Sequence, residues 1–154
     1  MEMHIGDSTY RVARKMNGMV QWDIFAKISP LLASGFGELL PLFVEMKSQG
    51  MHSLAEVDIA KLAAIATPVA REFSRTSDAD RRYVFSTCLA CVDRKKDNEQ
   101  AWAKVWNTDA NVSMFSDINN DAILMGRITL GVLQGTFQSF FPASLSALID
   151  GGSA

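Results

Sequence analysis

The sequence predicts a compact, mainly α-helical domain of about five helices, preceded by a small N-terminal β-hairpin. Three observations lead there. Apolar residues recur at spacings of three and four through most of the chain, the repeat of an amphipathic helix. Ser53 with Glu56, and Ser77 with Asp80, stand as capping pairs ahead of apolar runs. Only the first dozen residues group β-branched and aromatic positions around a Gly6-Asp7-Ser8 turn. With 154 residues, 48% of them hydrophobic and 21% charged, the chain can bury one core and has the composition of a folded soluble protein. The expected layout is a single domain over 1–154: a hairpin at 3–12, a helical body at 17–92, a polar loop at 93–116, a closing helix at 117–141 and a tail at 142–154.

The elements follow in order. Met3–Ile5 and Thr9–Val12 make the hairpin, which must lie on helices because an isolated hairpin is marginal in water. Arg11, Arg14 and Lys15 form a basic cluster, read as a solvated face or as a docking patch for an acidic partner. The first helix is expected over 17–33, ended or bent by Pro30. The second runs over 38–47 with Pro41 in its first turn. The third runs over 53–73, with Pro68 kinking it, and the fourth over 78–92. DRKKDNEQ, residues 93–100, reads as a solvated loop. Asp117 is the expected N-cap of the closing helix. Gly126, Gly131 and Gly135 inside that helix suggest close approach of another backbone. Between Asp121 and Asp150 Arg127 is the single charge, but scattered Ser, Thr and Gln and the interrupting Pro142 favour a core helix over a membrane span.

Trp102 and Trp106 stand four apart, a spacing that would place both indoles on one face of a helix. They are either a core plug or an anchor for a partner, since Trp is common at binding hot spots. Cys88 and Cys91 form a C-x-x-C inside an apolar run. Without a second pair or a nearby histidine they read as packed thiols rather than a zinc site or a redox pair. Asp117 and Asp121 read as helix-cap residues rather than a metal or acid–base pair. No phosphate-binding glycine loop, dinucleotide fingerprint, zinc-protease helix or serine-nucleophile elbow is present. Catalytic residues, metal ligands and cofactors are therefore expected to be none. A net charge of −2 argues against general affinity for nucleic acid. The N-terminal MEMHIGDSTY carries no secretory pattern, so the cytoplasm is the expected place.

One resemblance stands out. The hairpin segment GDSTYRVARKM leads into helices. A polar run follows, then Trp102-x-x-x-Trp106-Asn107, Met114-Phe115-x-Asp117-Ile118 and a last helix ending Phe140-Phe141. This order resembles small bacteriophage tail assembly chaperones encoded near the tape-measure gene, best over 102–141 and next over 5–32. The resemblance implies a protein that is not an enzyme. It would coat the tape-measure protein in the host cytoplasm, help recruit tail-tube subunits and be missing from the mature virion. Its candidate partner-binding residues are Trp102, Trp106, Met114, Phe115, Phe137, Phe140 and Phe141. Eight methionines suit adaptable apolar contacts, and a partner helix in a groove is the expected mode. The alternative is a structural or adaptor subunit of a phage assembly that self-associates as a homo-oligomer through the last helix.

Overall fold

Strands β1 (Glu2–Ile5) and β2 (Ser8–Val12) turn back on each other around Gly6 and Asp7. Gly6 has φ +58°, the left-handed conformation that a two-residue hairpin turn requires and that glycine adopts without strain. The structure is a computed structural model and describes residues 1–30, 48, 71, 74–97 and 100–137. The expected helices over 38–47 and 53–73, the tail, Phe140 and Phe141 lie outside the described residues.

Residues 18–30 form the first helix, α1. Asn17 caps it by accepting from Val20 N at 2.9 Å, which satisfies one of the four free amides at a helix start. Helix α2 (Asp78–Ala90) begins as its sequence demands, with Ser77 Oγ accepting from Asp80 N at 3.2 Å. Its buried Val84, Cys88 and Leu89 fall at the spacing of one inward stripe.

The expectation of a mainly α fold with one small hairpin is overturned from Val92 onward. β3 (Val92–Lys95) and β4 (Trp102–Lys104) extend the hairpin into a four-stranded antiparallel sheet of order β1-β2-β3-β4. β5 (Trp106–Asn107) and β6 (Val112–Ser113) make a second, two-stranded ribbon. The supposed polar loop at 93–116 thus carries most of β3 and all of β4, β5 and β6, and the architecture is α+β. β3 was hidden because one of its two inward residues is Arg94, so that charge falls on both faces. Tyr10 pairs with Arg94 and Arg11 with Asp93. Inward-facing Met3, Tyr10 and Val92 are buried, while Glu2, His4, Lys95 and Lys104 stand exposed on the other face.

Val105 is the joint between the sheets. Its N–H donates to Val92 O at 3.0 Å, and its carbonyl accepts from Met114 N at 2.7 Å and Ser113 Oγ at 3.0 Å. The last helical region is broken in two. α3 (Ser116–Asn120) is one short turn, and α4 (Ala122–Phe137) follows after Asp121. Asp117 is not the N-cap of α3; that position is Phe115. Asp121 caps α4 instead, accepting from Ile123 N at 2.9 Å and Leu124 N at 3.1 Å.

The core lies between the inner sheet face and the helices. It joins Met3, Ile5 and Tyr10 to Ile24 and Ile28 of α1, Val84 and Leu89 of α2, and Ile128, Val132 and Phe137 of α4. Each such aliphatic side chain stabilises the fold by about 1.5–3 kcal/mol relative to exposure. At the α4 glycines the expected approach of another backbone is not found: a methyl added at Gly135 would come 3.0 Å from the Met1 Sδ side-chain atom, and at Gly126 it would meet nothing within 4 Å. No described helix is long and apolar enough to cross a membrane.

Candidate functional site

A cleft of about 330 Å³ opens between the β2–α1 connection, the C-terminal half of α2 and the β5–β6 ribbon. Met16, Val20, Ala90, Cys91 and Trp106 give it an apolar floor. Its rim is amides, hydroxyls and one charge: Lys15, Asn17, Ser86, Thr87, Thr108 and Asn111. The mixture is what a small binding site for an apolar side chain needs, with greasy contact below and a few orienting polar groups above.

Local hydrogen bonding holds the ribbon side of the cleft. Asn107 Oδ1 accepts from both Asp109 N and Ala110 N at 3.0 Å, closing the turn. Asn111 completes it at φ 55°, a left-handed position that Asn tolerates better than most residues. Across the ribbon base, Asn119 Oδ1 accepts from Ser113 N at 2.9 Å and its Nδ2 donates to Ser113 O at 2.8 Å. That side chain stands in for a missing strand neighbour and ties α3 to β6.

The opposite wall rests on Arg14. Its Nε donates to Ala90 O at 2.8 Å, at the end of α2 where the helix dipole favours a cation, and its Nη2 to Val92 O at 3.1 Å at the start of β3. The same Nη2 lies 2.7 Å from Asp93 Oδ1, while Arg11 Nη2 lies 3.3 Å from Asp93 Oδ2. Asp93 is buried and shared by two arginines, so two members of the basic cluster are fixed rather than simply solvated. Beside them Cys88 and Cys91 are free and buried. Burial pushes both thiols above their ordinary value, most strongly at Cys88, and Arg14 partly offsets this at Cys91. They are held as neutral thiols, a poor state for a nucleophile or metal ligand. Among the described residues, no three His, Cys, Asp or Glu side chains group as metal ligands would.

Residues 6–148 match a family model described as phage tail assembly chaperone protein, TAC. The chain belongs to that family. No curated protein and no solved structure matches it.

Of the seven residues the sequence nominates, the five described ones do not converge in this chaperone. Trp106 packs against the core and lines the cleft. Trp102 stands on the outer sheet face, half-buried, with the Arg11 guanidinium 4.3 Å from its ring centre. The two indoles therefore lie in different sheets rather than along one helix. Met114 is 60% exposed. Phe115 is half-buried under Arg94 at 4.8 Å. Phe137 is core, 6.1 Å from the Phe25 ring. Phe140 and Phe141 lie outside the described residues. Met16, Val20, Ser86 and Thr87 of the cleft were not nominated, because three distant segments build it and no local motif announces it. Trp22 and Met19 were passed over too. They stand on the exposed side of α1, and Trp22 meets Phe25 edge-on at 5.9 Å. Their i, i+3 spacing was the available signal.

Proposed function

We propose that this chain binds the tape-measure protein during tail morphogenesis, keeps its apolar helices soluble and transforms no molecule. It would do so in the host cytoplasm, help bring in tail-tube subunits and leave before the particle matures. Family membership supports a chaperone role in tail assembly. The observation that carries the finer reading is the cleft beside Trp106. Its floor is apolar and Lys15 is its single charged lining residue, the character of a seat for a greasy side chain rather than a place for acid–base work. Part of an amphipathic helix would lay one large side chain there. Self-association through the last helix has less support, because Ile128, Val132 and Phe137 of α4 already face this chain's own core.

Co-expression with the tape-measure protein tests this. Wild-type chain is expected to keep that protein in the soluble fraction and to co-purify with it. Ser86→Arg, which crowds the cleft rim without entering the core, is expected to lose this while retaining a native circular dichroism spectrum. A tape-measure protein equally insoluble with and without the wild-type chain would refute the reading.

A further inference from the structure

Among the described residues, the outer face of the four-stranded sheet exposes Glu2, His4, Lys95 and Lys104 and carries an unbalanced charge. Its strand register places Glu2 opposite Arg11, Arg11 opposite Asp93 and Asp93 opposite Lys104. Lys95 lies opposite Trp102. Among the described residues, Arg11, Lys95 and Lys104 thus share this face with two carboxylates, Glu2 and Asp93, and Arg14 reaches Asp93 from just beyond β2. One of those, Asp93, is already held by both arginines, and its side chain is only 10% exposed. It cannot also neutralise the lysines. Among the described residues Lys95 and Lys104 form no ion pair, and both are exposed. This positive surface occurs on a chain whose net charge is −2, so it is a local feature and not a reflection of composition.

Trp102 gives the same face an apolar platform. Its indole is stacked under Arg11, whose buried Nε has no hydrogen-bond partner. A donor left unmatched in that way carries a desolvation cost that a ligand could relieve by reorienting the guanidinium. β4 is an edge strand, so a segment can approach Trp102 and Lys104 from the side as well as from above.

We propose that this sheet face is a second docking surface, distinct from the cleft, for an acidic segment of a partner protein that seats one apolar side chain beside Trp102. Charge complementarity selects the occupant: carboxylates meet Lys95, Lys104 and the outward edge of Arg11, and the field of the patch steers them in.

The test uses the full chain and a labelled peptide of glutamates around one central leucine, followed by fluorescence anisotropy. Saturable, salt-sensitive binding is expected. The double variant Lys95→Glu/Lys104→Glu should weaken it about tenfold or more, and Trp102→Leu by about threefold. Lys95→Gln and Lys104→Gln, which leave backbone pairing intact, should each weaken it about threefold should the double variant fail to fold. Wild-type solubilisation of the tape-measure protein should survive in the lysine variants, which separates this surface from the cleft. Absence of saturable binding, equal binding by the variants, or tighter binding of a single-stranded oligothymidylate than of the peptide would overturn the proposal.

Discussion

Arg94 reaches from β3 to Asp117 on α3, where its Nη1 lies 2.8 and 2.6 Å from the two carboxylate oxygens. Its Nη2 donates to Ser8 at 2.8 Å, and the guanidinium sits over the rings of Tyr10 and Phe115. One side chain thus joins hairpin, sheet centre and last helical region. The Arg94 side chain is 13% exposed against 49% for Asp117, so solvent screens the pair only in part. A double-mutant cycle of Arg94→Met and Asp117→Ala, read by urea denaturation, is expected to give a coupling of about 1 kcal/mol.

Asp93 bears on stability in a different way. Removing its charge leaves Arg11 and Arg14 facing each other across a buried neutral side chain. Loss of one partner from a fully buried pair costs about 3–5 kcal/mol. Both arginines are roughly two-fifths exposed here, so Asp93→Asn should cost about 2 kcal/mol, visible as a lower urea midpoint with an unchanged slope.

The two tryptophans should separate cleanly. Trp106→Ala removes an indole packed on the core and should destabilise by about 3 kcal/mol. Trp102→Ala removes one that lies on the outer sheet face and should cost about 1 kcal/mol or less, the value of a cation–π contact. Equal losses in thermal denaturation would contradict this placement.

Asp121→Ala should cost about 1 kcal/mol through loss of the α4 cap. Asp121→Asn, which keeps the accepting oxygen, should restore most of it. Circular dichroism at 222 nm during urea titration reads the difference.

Alkaline pH should weaken the fold. Burial raises Cys88, Cys91 and Tyr10 above their ordinary values. Each therefore favours the folded state fully below its unfolded pKa, and that contribution is lost as pH rises beyond it. Stability should be flat through neutrality and fall above about pH 8.5, where unfolded cysteine is half ionised. Thiol labelling at pH 8 should proceed only as fast as the chain opens.

What could be read beforehand was local. Gly6 and the Ser77–Asp80 pair each act within four residues of themselves, and the structure uses them as the sequence suggests. β3 escaped because a strand is recognised by alternation, and Val92-Asp93-Arg94-Lys95 puts charge on both faces. Arg94 can face inward only because Ser8, Asp117 and two aromatic rings receive it, and Ser8 and Asp117 come from far along the chain. The Trp102–Trp106 spacing fits a helix, yet Trp102 and Lys104 on one side with Ala103 and Val105 on the other also suit a strand; a three-residue strand is too short for the pattern to decide. The Trp106 cleft has no sequence signature, since Met16, Thr87 and Thr108 meet only after the sheet has assembled.

That assembly has an order imposed by synthesis. Arg11 and Asp93 are neighbours in the sheet but 82 positions apart in the chain. A ribosome adding roughly 5–20 residues per second would leave the hairpin segment on the order of ten seconds before β3 exists. During that interval the β2 edge has no strand beside it, and an unpaired edge invites foreign strands. The nascent protein is thus itself at risk of sticking before it can keep any other molecule from doing so.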